Sequence, residues 1–199
     1  MFEFLAAAFA VVTTVLEITV NLAVFATIVM KVLQSLGIIG PEEEKPEDLG
    51  DKALQAEEAG IVPENYDSYE AYLKDVESFE TDPEKSSQID DEAKLKKGAE
   101  LVTTAMIEKF GNIAEDLCMI IARNPEYFEK RMPLIMSELK DTPDKLGDVT
   151  EYLQGRRSDV DKDNESLSLL YDVEKKINPD ATMDELENNL KEIEARGAK

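Results

Sequence analysis

Four carboxylates near the C-terminal end of the chain are spaced as ligands of a metal ion could be. The segment DVDKDNESLSLLYD places Asp159, Asp161, Asp163 and Glu165 at alternate positions. A calcium loop presents its oxygen ligands in this way. However, Asn164 stands where such a loop needs a glycine, and Leu170 stands where it needs a bidentate glutamate. We therefore expect an acidic loop leading into a helix capped near Asp163 or Asn164, with calcium binding as the alternative.

Other side chains that could do chemistry are scarce. The chain contains no histidine and a single cysteine, Cys118, which removes the commonest general base, the usual zinc ligand and any intramolecular disulfide. Cys118 lies within an apolar stripe, which indicates a core residue rather than an activated thiol. No glycine-rich phosphate loop or nucleophile motif accompanies the many carboxylates. We therefore expect no enzymatic activity and no cofactor.

Two polar residues, Glu17 and Asn21, stand one helical turn apart in the most apolar part of the chain. On a helix with 3.5 residues per turn they share one narrow face with small residues. We call this face the predicted seam, and its residues are Ala7, Ala10, Thr14, Glu17, Asn21 and Ile28. Small residues let helices approach closely, and Asn or Glu side chains can hydrogen-bond across the contact. The pattern predicts a homo-oligomer or docking on another membrane protein.

The hydrophobic stretch around this pair extends from Phe4 to Met30. Its 27 residues would form a helix of roughly 40 Å, which exceeds the roughly 30 Å of a bilayer core. The face opposite the predicted seam consists of Phe4, Val11, Val15, Ile18, Leu22, Val29, Leu33 and Leu36, and it suits lipid tails. These features predict a single-pass transmembrane helix in a lipid bilayer. The alternative is a helix buried within a soluble assembly.

The charge distribution indicates what the rest of the chain can bind. There are 22 basic and 44 acidic residues, a net charge of −22, and residues 41–92 alone carry 19 acids against four lysines. Such a chain lacks the basic stripe that nucleic acid requires, so we expect no nucleic-acid binding. A basic protein surface is the partner that an acidic region favours. Lysines follow the hydrophobic stretch and none precedes it, which favours a cytoplasmic C-terminal region.

The remainder of the chain has the pattern of helices separated by glycine and proline residues, and almost no segment has the pattern of a strand. The widest apolar stripe covers residues 93–122, on one helix or on two helices broken near Gly111. Thr182 and Glu185 predict a capping box at the start of the last helix. We therefore predict an all-α protein in which a long N-terminal hydrophobic helix (1–40) precedes an acidic linker with short helices (41–88) and a helical domain (89–199).

Three functions are compatible with this organisation. The preferred hypothesis is a non-enzymatic, membrane-anchored, oligomeric structural or adaptor protein that presents an acidic helical domain to a partner. The second is a subunit of a helical filament or sheath with the hydrophobic helix as its packed core. The third is a small ion-conducting oligomer that uses Glu17, because carboxylates within a membrane often line translocation paths.

Overall fold

The computed structural model describes residues 2–40, 45–157 and 159–197, which fold almost entirely into α-helices. The helices are α1 (Phe2–Ile18), α2 (Leu22–Ser35), α3 (Pro46–Glu58), α4 (Tyr69–Glu77), α5 (Pro83–Ser86), α6 (Asp91–Phe110), α7 (Asn112–Arg123), α8 (Pro125–Leu139), α9 (Leu146–Leu153), α10 (Val160–Ile177) and α11 (Met183–Gly197). Short 3₁₀ turns cover Pro63–Asn65 and Pro143–Lys145. These described residues contain no strand, which confirms the predicted all-helical class.

The hydrophobic N-terminal stretch forms two helices instead of one, separated by Thr19–Asn21. Asn21 has an extended backbone (φ −143°, ψ 95°), and its side chain accepts a hydrogen bond from the Val24 N–H at 3.3 Å. The Val20 N–H donates to the carbonyl of Ala122 in α7 at 3.4 Å. Asn21 is therefore the N-cap of α2, and the connection before it is attached to the body of the protein.

The predicted membrane-spanning helix is therefore wrong. α1 has 17 residues and α2 has 14, and no helix among the described residues is both long and apolar enough to cross a bilayer. The predicted single-pass membrane location, with its cytoplasmic C-terminal region, is corrected by the same finding. The hypothesis of an ion-conducting oligomer depended on the same spanning helix, because it placed Glu17 within the membrane.

α1 and α2 pack on protein through the face that was expected to meet lipid. α1 contacts α6 and α7, and α2 contacts α6 and α8. On this face Val15, Val29 and Leu33 are fully buried, and Val11, Ile18, Leu22 and Leu36 are half-buried. Burying a side chain of this size stabilises the fold by about 1.5–3 kcal/mol. The apolar residues of α1 and α2 thus supply part of the same hydrophobic core as α6, α7 and α8.

α3 and α6 touch backbone to backbone at two glycines. A Cβ atom on Gly50 would lie 1.9 Å from the carbonyl oxygen of Lys94, and a Cβ atom on Gly98 would lie 1.9 Å from the carbonyl oxygen of Pro46. Real side chains essentially never approach that closely, so any other residue would push the two helices apart. This contact sets the distance between the acidic helix α3 and the core helix α6.

A buried polar network holds α3 against α5 and α6. The side chain of Gln55 is 3% exposed, and its Nε2 donates to Asp51 Oδ1 and to Ser86 Oγ, both at 2.9 Å. Its Oε1 accepts from the Asp82 N–H at 2.8 Å, and the Lys94 ammonium lies 3.5 Å from Asp51 Oδ2. Burial favours the neutral form of Asp51, but hydrogen bonds from Ser86 and Gln55 and the charge of Lys94 outweigh it and lower the pKa of the Asp51 carboxyl.

The C-terminal helices are joined by a bidentate ion pair. Arg131 in α8 donates to both carboxylate oxygens of Glu174 in α10 at 2.8 Å, and its guanidinium lies 4.0 Å from the ring centroid of Tyr127. At the start of α11 the Thr182 N–H donates to Glu185 Oε2 at 2.8 Å, and the Glu185 N–H donates to Thr182 Oγ1 at 3.3 Å. These two bonds confirm the predicted capping box.

Replacing Gly98 by alanine should destabilise the protein because the new methyl group meets the Pro46 carbonyl. We expect the free energy of unfolding to fall by about 1–3 kcal/mol in spite of the better helix propensity of alanine. The matched control is Gly147→Ala in α9, where the new Cβ meets only the flexible end of Ile113 at 3.1 Å. Urea unfolding of the two variants checks the prediction, which fails if both are equally stable.

The Asp51 network should make stability depend on acid pH. Because the folded-state pKa of Asp51 is below the ordinary 3.8, its carboxylate stabilises the fold above about pH 4, and this contribution is lost as the pH falls through the folded-state pKa. The difference in unfolding free energy between the wild type and Asp51→Asn should therefore be largest near pH 7 and shrink toward pH 3. Asp172→Asn, at an exposed position of α10, is the matched control for the loss of one carboxylate outside this network.

Candidate assembly surface

α1 has one face in the core and one face in solvent. Ala8, Val12 and Val15 are at most 2% exposed. Between Ala6 and Glu17, the described residues on the opposite side of the helix are exposed, and we call them the outer face: Ala6, Phe9, Ala10, Thr13, Thr14 and Glu17. The division follows from the 3.6-residue helical period, which places the largest aliphatic residues of α1 on the inner side.

The outer face is unusually apolar for the surface of so acidic a protein. Phe9 is 65% exposed, and Val20, just beyond the end of α1, is 76% exposed. The hydroxyl groups of Thr13 and Thr14 donate to the carbonyls of Phe9 and Ala10 at 2.9 Å and 3.0 Å, so the helix itself satisfies them. Glu17 is the one charged residue within the outer face as defined.

The structure brings only the first half of the predicted seam together. Ala10, Thr14 and Glu17 share the outer face. Asn21 is exposed, but its side chain is engaged as the cap of α2, and Ile28 is 1% exposed within the core. The side chain of Ala7 lies outside the part of the chain that the structure describes. The seam cannot continue past Asn21 because the break between the helices changes which residues face outward.

The four carboxylates of the calcium alternative lie on and just before α10. Asp159 is the N-cap, and its Oδ1 accepts from the N–H groups of Asp161 and Lys162 at 3.0 Å and 3.2 Å. Asp163 follows in the first turn, and Glu165 pairs with Lys145 at 2.6 Å. The helix thus begins earlier than the expected cap at Asp163 or Asn164. Among the described residues no group of three acidic or thiol side chains is placed to hold a metal ion, and calcium binding here stays a prediction.

The single thiol of the chain lies in the core of α7. Cys118 is fully buried. Burial raises the pKa of the Cys118 thiol to about 12, and the nearby Glu115 carboxylate contributes in the same direction. The thiol is therefore protonated at neutral pH, and it cannot act as a nucleophile or a metal ligand in this state.

A cavity between α1, α4 and α6 is a second candidate site, and the sequence pattern did not indicate it. Its volume is about 330 Å³, and it is lined by Leu5, Ala6, Phe9, Pro63, Glu64, Tyr69, Tyr72, Lys97, Glu100 and Thr104. Tyr72 is 1% exposed, and its hydroxyl group has no hydrogen-bond partner among the described residues. In the sequence the tyrosines of α4 belong to one apolar stripe, which predicts a buried face and no cavity. The cavity arises only where α1, α4 and α6 pack together.

Comparison of the chain with protein-family models, with curated proteins and with solved structures gave no match. The outer face and the cavity are consequently interpreted from their own geometry and chemistry.

Replacing Asn21 by alanine should weaken the start of α2 because the Val24 N–H loses its acceptor. We expect the free energy of unfolding to fall by about 0.5–2 kcal/mol. The Asn21→Ser variant should keep most of the wild-type stability, because serine can also act as an N-cap. Glu17→Ala, an exposed change on α1, should alter stability by less than about 0.5 kcal/mol. If Asn21→Ala and Glu17→Ala behave alike in thermal unfolding, Asn21 does not act as a cap.

Proposed function

We propose that the protein is a non-enzymatic structural or adaptor protein that self-associates through the outer face of α1 and presents acidic helices to a basic protein surface. The observation that carries this proposal is the contrast between the outer face, with Phe9 65% exposed, and a net charge of −22 on the whole chain. An exposed apolar surface on an otherwise charged protein is typical of an interaction site.

A second copy of the chain is the partner that best fits the outer face. Two molecules of net charge −22 repel each other, and this repulsion is weakest where the facing surfaces carry the fewest charges. Among the six described residues of the outer face, Glu17 is the one that carries a charge. Its alanines and threonines are small, so two α1 helices can approach closely. Most homo-oligomers are closed and symmetric, and a single face packed on itself satisfies that arrangement.

The acidic helices support the second part of the proposal, which is binding to a basic protein surface. Residues 41–92 carry most of the excess negative charge, and they include α3, α4 and α5. A surface of one sign speeds the encounter with a surface of the opposite sign and discriminates against others. The filament hypothesis, with the hydrophobic N-terminal helices as the packed core, requires a different contact, in which the outer face of one copy meets another surface of the next copy, because a face packed on itself closes the assembly.

Self-association and binding to a basic partner should respond to salt in opposite directions. Self-association should strengthen as salt screens the repulsion between like-charged copies, whereas binding to a basic partner should weaken as salt screens the attraction. Sedimentation at about 0.05 M and 0.5 M salt measures the first effect directly.

The decisive variant for self-association is Ala10→Arg, because it places a long charged side chain in the middle of the outer face. We expect a defined oligomer for the wild type and a monomer for Ala10→Arg by analytical ultracentrifugation at micromolar concentrations. Ala71→Arg is the matched control, since Ala71 is also exposed on a helix but lies on α4, and it should sediment like the wild type. A wild type that stays monomeric at every concentration and salt tested would rule out the proposed assembly.

A further inference from the structure

We propose that a second cavity, between α8, α9 and α10, binds a small neutral polyol, such as a monosaccharide or a cyclitol, through its adjacent hydroxyl groups. The cavity has a volume of about 320 Å³, at the small end of ligand cavities. Its lining includes no residue of the outer face, so the inference goes beyond self-association and does not depend on it.

The floor of this cavity is apolar. Leu139 from α8 and Val149 from α9 are 1% and 2% exposed, and Leu169 from α10 is half-buried. All three side chains line the cavity. The carbon–hydrogen groups of a sugar or cyclitol ring can pack on such a floor, and their removal from water is favourable.

Two ion pairs between α9 and α10 form the charged part of the lining. The ammonium of Lys145, just before α9, lies 2.6 Å from a carboxylate oxygen of Glu165, and that of Lys162 lies 2.7 Å from one of Asp148. All four side chains line the cavity. Lys145 and Asp148 are three residues apart, as are Lys162 and Glu165, so positive and negative groups alternate on both sides. The charges cancel within each pair, which favours neither an anion nor a cation as the ligand.

Alternating ammonium and carboxylate groups match adjacent hydroxyl groups. An ammonium has three N–H donors and a carboxylate has about four acceptor positions, so one ion-pair contact leaves donors and acceptors unused on both partners. A hydroxyl group can accept from the ammonium and donate to the carboxylate at the same time. Hydrogen bonds to charged groups are also stronger than those between neutral groups. A molecule with several adjacent hydroxyls therefore fits this lining better than one with a single functional group.

Two further carboxylates line the cavity. Glu138 is paired with the ammonium of Lys176. Asp172 is exposed on α10 and has no ion-pair partner among the described residues. Asp172 is thus an additional acceptor for a ligand hydroxyl at the solvent side of the cavity.

Ser166 of α10 supplies a buried polar group to the same lining. It is 3% exposed, and its hydroxyl makes no hydrogen bond to another described residue. The hydroxyls of Tyr72 and Thr103 are unpaired and closed to solvent, whereas the Ser166 hydroxyl keeps accessible surface, and Ser166 lines the cavity. A polar group buried to this degree is normally paired, and a ligand hydroxyl in the cavity would be its partner.

The test is a titration of the full-length protein with myo-inositol and with D-glucose, followed by calorimetry and by the amide NMR signals of α9 and α10. Cyclohexanol, with one hydroxyl on a ring of the same size, and cyclohexylammonium, with one charge, are the control probes. We expect saturable binding of at least one polyol with a Kd on the order of 1 mM, and at least about tenfold weaker binding of both controls. No saturable binding of either polyol, or binding of a control as tight as that of the polyols, would overturn the proposal.

The Ser166→Ala variant tests the buried hydroxyl. We expect severalfold weaker polyol binding with no loss of stability, because the deleted hydroxyl has no partner within the fold. Ser87→Ala is the matched control, since the exposed Ser87 hydroxyl donates to the Glu84 carbonyl at 2.7 Å and lies outside the cavity.

The Lys145→Met variant tests the ion pairs, because it removes the ammonium and keeps an apolar stem. It should also weaken binding severalfold, whereas Lys130→Met, at an exposed position of α8 outside the lining, should not. Unchanged affinity in both Ser166→Ala and Lys145→Met would refute the assignment even if a polyol binds elsewhere.

Two further arms separate the sources of the hydroxyl groups and the two proposals. If cellobiose binds more tightly than D-glucose, the natural ligand is a sugar within a glycan, and the reverse order indicates a free polyol. Both orders support the site. The Ala10→Arg variant should bind the polyols as the wild type does, since Ala10 is not among the lining residues. Failure of self-association therefore leaves this test intact.

Discussion

The break at Asn21 divides the hydrophobic N-terminal stretch into two helices, and the packing of the core follows from that division. A continuous helix through Phe4–Met30 would present one straight apolar surface. Because Asn21 caps a new helix and Val20 is attached to α7, the run instead supplies two short helices that cover α6, α7 and α8. The same residues that would suit lipid thereby fill a protein core, and the outer face of α1 is what remains exposed.

α6 is the element that connects this core to the acidic half of the chain. Its inner residues meet α1 and α2, and its N-terminal half meets α3 at Gly98 with no side chain between the backbones. The network around Gln55 and Asp51 then fixes α5 to α3. α4 packs against both α3 and α6, and the cavity lined by Tyr72 lies where α4 and α6 meet α1.

Local sequence signals predicted the helical class well, because caps and glycine breaks act within a few residues. The capping box of Thr182 and Glu185 formed as expected, and the stripe over residues 93–122 is divided at Gly111, whose φ of 55° few other residues adopt. Asn21 was misinterpreted because an asparagine at this position fits two sequence patterns equally well. It can be a seam residue within one long helix or the N-cap of a new helix. Hydropathy counts apolar residues over a window and does not detect a break of three residues. The attachment of that break to α7 is a tertiary contact, as is the cavity, and neither has a local signature.

Thiol labelling can show whether α1 lies on the protein with one buried and one exposed face. The native Cys118 is buried with a raised pKa, so it contributes little background. Alanine-to-cysteine variants at Ala8, which is fully buried, and at Ala10, which is exposed, each add a single sulfur atom. At protein concentrations low enough to disfavour self-association, we expect rapid labelling at position 10 and protection at position 8 until the protein unfolds. Equal labelling at both positions in native buffer would contradict it.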